Sequence, residues 1–328
     1  MNTRILSATG ANQESAIQQV CEELERGGVV ALPSETVYGL AGNALDANAA
    51  ARIFEAKERP FFDPLICHLP DPGWLDQVTA IPASLFPLVA RLTAHFWPGP
   101  LTLVLPKKPS IPDLVSAGLP TVAVRWSAHP LFQAVLSRFE RPLAAPSANR
   151  FGRISPTTAS HVLKELEGRI PLILEGGATL HGLESTIINP TEQGIRILRS
   201  GPVTCEELEA FAPIVREATE TKKETQIEAP GQLSSHYAPR TPLFLFAHGE
   251  IPKPNPREGI LSLQAIYPGF GAAEVLSASG NLREAAARFF AVLRRLDEAG
   301  MERIHAELLP EAGLGIAIND RLRRAAAR

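Results

Sequence analysis

Arg141-Pro142-Leu143-Ala144-Ala145-Pro146-Ser147-Ala148-Asn149-Arg150-Phe151-Gly152-Arg153-Ile154-Ser155-Pro156-Thr157 runs a short apolar strand into Pro146, then gathers hydroxyls, an amide and two guanidiniums ahead of a helix-like run over 158–166. Strand, polar turn and helix in that order belong to an α/β sheet. Hydroxyls, guanidiniums and the free N–H groups of a helix start are what a polyphosphate or a carboxylate needs. On this stretch alone a second reading stays equally open, in which Ser155 and Thr157 simply cap the helix.

Working outward, the alternation continues on both sides. Upstream, Ile17, Val20, Cys21 and Leu24 recur at helical spacing over 12–26, and Gly27-Gly28 ends the run. Residues 28–33 read as a buried strand that delivers Ser34-Glu35-Thr36-Val37-Tyr38-Gly39-Leu40 at its carboxyl end, where open α/β sheets bind their ligands. A helix over 47–57 is stopped by Pro60, and a further helix covers 85–96. Strands are predicted over 64–69, 101–105 and 121–126, then over 171–177, 183–189 and 195–201.

The composition then changes. From 213 to 240 there are charges, Thr and Pro with little periodic apolar content, the mark of a linker. Strands over 243–246, 259–263, 274–278 and 303–308 and helices over 281–299 and 315–327 follow as a small second α/β domain. The chain therefore divides into 1–212, a linker at 213–240, and 241–328. Arg321, Arg323, Arg324 and Arg328 on the last helix read as a solvated basic face.

A chain of 328 residues with 45% hydrophobic content supports two conventional cores. A net charge of −3 neither supports nor excludes a nucleic-acid partner. Cys21, Cys67 and Cys205 are far apart and never paired as CxxC, which argues against a disulfide framework or a cysteine zinc site and fits a reducing, cytoplasmic setting. No run approaches the roughly 18 apolar residues of a membrane span, so neither export nor anchoring is expected.

Polar groups recur at the predicted strand ends: Ser34 and Thr36, His68, Thr121 and Arg125, Ser147 and Asn149, Ser185, and Arg199. With almost no carboxylate among them, they describe a pocket for a multiply charged anion rather than an acid/base hydrolase cleft. Taken singly, His68 reads as a core histidine and Lys57 with Arg59 as a solvated helix end. No Ser-His-Asp order, GxSxG elbow, Walker A loop or GxGxxG fingerprint occurs.

Lys57-Glu58-Arg59-Pro60, Pro64-Leu65-Ile66-Cys67-His68, Pro98-Gly99-Pro100-Leu101-Thr102-Leu103-Val104-Leu105, Ala145-Pro146-Ser147-Ala148-Asn149 and Glu184-Ser185-Thr186 resemble, in order, the YrdC/Sua5 family. His236-Tyr237-Ala238-Pro239 and the segment from Gly313 to Leu322 are similar to the extra Sua5 domain. The resemblance implies a YrdC-like twisted mixed open sheet with flanking helices, plus a small Rossmann-like α/β domain. It implies an L-threonylcarbamoyladenylate synthase, which makes threonylcarbamoyl-AMP and pyrophosphate from L-threonine, bicarbonate or CO2, and ATP. A partner complex would then transfer the threonylcarbamoyl group to the adenosine beside the tRNA anticodon.

Carried over by position, the resemblance assigns Thr36, His68, Arg125, Ala145 and Ser185 to threonine, with Arg125 facing its carboxylate. It assigns Arg59, Asp63, Thr121, Ser147, Asn149, Ser155, Arg199 and Tyr237 to ATP, with Lys57 as a counter-charge and Lys57 and Arg59 as the catalytic pair. Mg2+ is expected with ATP, and no protein side chain is assigned to it. Two positions depart from the family pattern: Asp63 stands where Asn is frequent, and Asn189 where Asp is common. A carboxylate beside a triphosphate needs Mg2+ or an arginine to compensate it. The segment 230–239 sets a histidine and a tyrosine between prolines in an otherwise polar stretch and is read as an active-site lid. The competing readings are a tRNA or double-stranded-RNA binding module, a carbamoyl-adenylate-forming enzyme, and a structural assembly protein.

Overall fold

The structure is a computed structural model that describes residues 2–215 and 227–327. The part of the predicted linker from 216 to 226, and Arg328, lie outside the described residues.

From the amino terminus come β1 (Arg4–Ser7), α1 (Gln13–Glu25), β2 (Val30–Leu32), β3 (Gly39–Asn43), α2 (Ala47–Lys57) and β4 (Ile66–His68). The chain continues through α3 (Leu75–Val78), α4 (Phe86–Phe96), β5 (Leu101–Pro106), α5 (Asp113–Ser116), β6 (Thr121–Arg125), α6 (Pro130–Phe139) and β7 (Leu143–Ala144). Then follow α7 (Ala159–Leu166), β8 (Leu172–Glu175), β9 (Thr186–Thr191), β10 (Gly194–Arg199) and α8 (Cys205–Glu209). These strands form one mixed sheet in the order β1-β8-β2-β3-β7-β4-β6-β5-β9-β10.

Local chemistry sets the boundaries. The alanine-rich α2 starts where the Asp46 side chain accepts the Asn48 N–H and ends at Glu58 in the left-handed region, φ 53°, just ahead of Pro60. Thr158 caps α7 by accepting the His161 N–H. Capping therefore falls to Thr158 rather than to Ser155 or Thr157, which leaves the Ser155 hydroxyl for another use.

Alternation along the strands builds two faces. Val29, Ala31 and Cys67 point to the face that α2, α4 and α7 cover. Val30, Leu32 and Leu143 point to the other, where α1 and α6 pack. Those two helices leave part of this second face uncovered. Over the neighbouring strands, Ile66 of β4, Ala123 of β6, Val104 of β5 and Ile187 of β9 meet Ala229, from the described end of the linker, instead of a helix.

The second domain is a separate sheet of β11 (Leu243–Phe246), β12 (Gly259–Ser262), β13 (Ala272–Val275) and β14 (Ile304–Glu307), all parallel in the order β11-β14-β12-β13. The helix α9 (Leu282–Glu298) begins where Asn281 accepts the Arg283 and Glu284 N–H groups, and α10 (Leu314–Ala326) closes the described chain. The core of this domain is not its own alone, since Val37, Ile154 and Leu183 of the first domain share its cluster. Arg294 of α9 donates to Glu165 Oε1 at 2.9 Å and to the Ile154 carbonyl at 2.8 Å. The expectation of a solvated basic face on the last helix fails at Arg321, which is fully buried against the first domain.

The contact tolerates no added atom at Gly182. It adopts φ +66°, and a Cβ there would stand 2.4 Å from the carbonyl oxygens of both Ala286 and Ala287 on α9. Gly182→Ala is expected to destabilise the protein by about 2 kcal/mol or more, through backbone strain and displacement of α9. Denaturant unfolding measures this, and an unchanged midpoint would contradict the tight approach.

Candidate functional site

The uncovered part of the second face holds a partly open cavity. Of the residues singled out from sequence, Thr36, Arg59, His68, Arg125, Ala145, Ser147, Ser185, Arg199 and Tyr237 line it together. They arrive by simple geometry. Thr36 follows β2; His68 ends β4; Arg125 ends β6 beside it, in register with His68; Ala145 and Ser147 follow β7; and Arg199 ends β10.

Lys57, Asp63, Thr121, Asn149 and Ser155 do not line the cavity. Four of them stand behind its wall. Lys57 Nζ donates to the carbonyls of Ser147 and Asn149, which pins the loop after β7. Asn149 Nδ2 donates to the carbonyls of Arg150 and Arg153 and shapes the same loop. Asp63 lies 2.9 Å from Arg59, and Ser155 donates to Glu184. Thr121 begins β6, on the face of Ala123 and Arg125 but at the far end of the strand.

Two carboxylates correct the expectation that the strand ends carry almost none. Glu184 lines the cavity. Glu35 is buried beside it, with Oε1 2.6 Å from Arg125 and acceptor bonds from the Ser127 hydroxyl and the Ala128 N–H. Arg125 also donates to the Gly99 carbonyl at 3.0 Å and to Thr36 Oγ1 at 3.0 Å, so its fork is held in one orientation. The sequence signal for Glu35 was its place between Ser34 and Thr36; the partner 90 residues away was not readable.

The electrostatics follow from burial. Burial pushes the Glu35 carboxyl up, but the Arg125 guanidinium and the Ala128 and Ser127 donors outweigh it and hold the pKa at about 2. Burial, reinforced by Arg125, lowers His68 to about 3, so its imidazole is neutral. Burial and then Arg59 lower Lys57 well below its ordinary value. Burial raises Tyr237 to about 12.

The remaining wall comes from the described end of the linker: Pro230, Gly231, His236 and Tyr237. This segment is tied down along its length. Arg199 donates to the Pro230 carbonyl, the Ala238 N–H to the Gly152 carbonyl, and the His236 N–H to the Arg324 carbonyl. Tyr237 adopts φ 65°, an unfavourable region for a tyrosine, and its ring packs on His236 and Phe290. A Cβ at Gly231 (φ +83°) would stand 2.9 Å from the Tyr237 hydroxyl. His68 Nδ1, His236 Nδ1 and the Tyr237 hydroxyl are buried without a hydrogen-bond partner. Leaving such groups unpaired costs roughly 1–3 kcal/mol each, so a polar ligand fits among them. Among the described residues no group of three or more His, Cys, Asp and Glu could hold a metal ion. No described helix is long and apolar enough to cross a membrane.

A pocket at strand ends, walled by buried guanidiniums and hydroxyls and closed by a segment running into a second α/β domain, defines an α/β protein that binds a small polyanionic ligand. Residues 22–201 match the Sua5/YciO/YrdC family model, described as telomere recombination, and residues 203–327 match the model described as threonylcarbamoyl-AMP synthase, C-terminal domain. A threonylcarbamoyl-AMP synthase from Pyrococcus abyssi is 38% identical over 98% of this chain and 97% of its own length, and one from Bacillus subtilis is 39% identical over 96% and 94%. A crystal structure of P. abyssi Sua5 complexed with L-threonine superposes with a TM-score of 0.88 at 36% identity, covering 98% of this chain and 97% of that one. The chain belongs to the Sua5/YrdC family, in its two-domain form.

The buried Glu35–Arg125 pair predicts a pH signature. Because the folded pKa of about 2 lies below the ordinary 4.5, its stabilisation is present above pH 4.5 and is lost as pH falls toward 2. That shift corresponds to about 3 kcal/mol as an order of magnitude. Glu35→Gln is expected to lose most of this at neutral pH and to narrow the gap to wild type as pH falls through that window. Parallel stability curves for the two proteins would refute the assignment.

Proposed function

We propose that the chain is an L-threonylcarbamoyladenylate synthase. L-Threonine, bicarbonate or CO2, and ATP become threonylcarbamoyl-AMP and pyrophosphate, for threonylcarbamoyladenosine modification of tRNA next to the anticodon. The observation that carries this reading is the single cavity in which the threonine-side residues Thr36, His68, Arg125, Ala145 and Ser185 face the ATP-side residues Arg59, Ser147, Arg199 and Tyr237. A product that joins an amino acid to a nucleotide needs both halves in one place.

In this reading the threonine amine loses a proton and captures CO2. A carbamate oxygen then attacks the α-phosphorus; that O–P bond forms as the bond to the β-phosphate oxygen breaks, and pyrophosphate leaves with the electron pair. The residues position and neutralise, and no covalent enzyme intermediate is needed. Arg125, locked by Glu35, Gly99 and Thr36, presents a fixed guanidinium to the amino-acid side. Arg59 and Arg199 face the phosphates, and Ser147 marks the wall that Lys57 holds from behind. Asp63, Asn149 and Ser155 act through Arg59, the loop after β7 and Glu184, while Thr121 is assigned to ATP on the family pattern alone. Mg2+ would supply further charge neutralisation on the triphosphate oxygens. The segment 230–239 acts as a lid that keeps water from a labile carbamate. A cytoplasmic transferase complex acting on tRNA would consume the product.

The decisive assay is pyrophosphate release with ATP and bicarbonate, comparing L-threonine with L-serine and with no amino acid. Release specific to L-threonine is expected, and equal rates in all three arms would overturn the assignment. Salt-dependent RNA binding without turnover would favour an RNA-binding module instead.

Arg59→Ala and Ser147→Ala are each expected to weaken ATP binding by about 1.5–3 kcal/mol, the worth of a charge-assisted contact. Arg125→Lys is expected to raise the threonine KM sharply despite the retained charge, because an ammonium lacks the planar fork. Calorimetric titration and threonine saturation curves check these, and wild-type values in folded variants would remove the residues from the site. For the lid, protease protection of 230–239 should increase with ATP plus threonine, and Tyr237→Ala should lose both protection and product.

A further inference from the structure

Glu184 is the sole carboxylate among the described residues lining the cavity, and it shares that wall with Arg59, Arg199 and Ser147. A bare carboxylate there would repel a triphosphate. Its two oxygens are instead both engaged. Oε1 accepts the Ser155 hydroxyl, and Oε2 lies 3.2 Å from Nε of Arg321, which is 137 residues away on α10 of the second domain. Arg321 is fully buried and also donates from Nη1 to the Ser200 carbonyl, with Asp320 Oδ2 at 3.3 Å. Its guanidinium carbon stands 5.5 Å from the centroid of the Tyr237 ring, over the segment that closes the cavity.

We infer that Arg321 is a positioning residue for the nucleotide: a guanidinium supplied by the second domain masks the charge of Glu184 and fixes its direction, so that the cavity wall accepts a triphosphate. The inference rests on the nucleotide reading given above. It assigns the second domain an electrostatic part in substrate binding in addition to holding the closing segment. Asp320 faces Arg321 from its own helix and also takes Arg324 Nε at 2.9 Å, so Asp320 shares its charge between two arginines while Glu184 meets one. Breaking a buried pair from the cationic side leaves the carboxylate uncompensated, and the cost grows with the charge brought beside it.

The test uses the full chain and three variants, Arg321→Met, Glu184→Gln and the two combined, with ATP, ADP and AMP as ligands. Arg321→Met is expected to weaken ATP binding by about tenfold or more, ADP less and AMP least, since the repulsion scales with phosphate charge. Adding Glu184→Gln should recover most of the lost ATP affinity, because it removes the unmasked charge. Glu184→Gln alone should bind ATP more tightly than wild type. An equal loss for all three nucleotides, or a double variant no better than Arg321→Met, would overturn charge masking and leave an interdomain tie. Should Arg321→Met fail to fold, Glu184→Gln decides: tighter ATP binding supports the inference, and equal or weaker binding refutes it. Failure of wild-type protein to bind ATP would instead strike the nucleotide reading itself, so the two failures are distinguishable.

Discussion

Five cationic side chains around one cavity, Lys57, Arg59, Arg125, Arg199 and Arg321, are each no more than 7% exposed, and the rest of the site depends on how that burial is made tolerable. An isolated buried charge costs several kcal/mol, so every one must meet acceptors in fixed positions. Much of the acceptor set is main chain. Lys57 uses the carbonyls of Ser147 and Asn149, Arg59 those of Asp63 and Pro64, Arg125 that of Gly99, and Arg199 those of Ser185 and Pro230. Each bond also fixes a loop, so satisfying the cations and shaping the cavity are one event. This explains why the loop after β7 is largely buried despite carrying so many polar residues.

The second constraint is the unevenly covered sheet. Helices pack over one whole face but over only part of the other, and an apolar sheet surface left to water is unfavourable. Ala229 and the segment that follows it complete the cover. That segment bonds to Arg199 on one side and to Arg324 of α10 on the other. The second domain is thus coupled to the site through cover, through the shared core at Val37, Ile154 and Leu183, and through Arg321.

Periodicity made much of this fold legible. The helix over 47–57 falls where the pattern places it, because apolar spacing, a cap and a proline stop agree there, and the strand over 243–246 also falls where it is expected. Among the elements that escaped are β1, β3 and α6. In β3, Gly39-Leu40-Ala41-Gly42-Asn43 lacks the bulky β-branched residues that announce a strand. Packing requires the small residues, since a Cβ at Gly42 would lie 3.3 Å from both Ile53 Cδ1 and Val29 Cγ1. At the site, nine of the residues assigned to threonine or ATP share the cavity, whereas Glu35, Glu184 and Arg321 were not recognised as a buried electrostatic set. The default for a charged side chain is solvent, and what overrides it is a partner roughly one hundred residues away, which sequence order does not display.

Carbonyl satisfaction has a further consequence for binding. Had each buried cation been paired with its own carboxylate, the cavity would be neutral and indifferent to phosphate. Among the described residues, Asp63, Glu35, Glu184 and Asp320 stand against Arg59, Arg125 and Arg321, whereas Lys57 and Arg199 are held by carbonyl dipoles rather than by counter-ions. Carbonyl dipoles orient a guanidinium without cancelling its charge, so the field survives for an incoming anion and little reorganisation is needed when it binds. The carboxylates stand at Arg59, Arg125 and Arg321, where an arginine's direction matters most: two whose side chains line the cavity and one from the second domain that meets the cavity wall at Glu184. Preorganisation and charge, which compete in most buried ion pairs, are here divided between two kinds of acceptor.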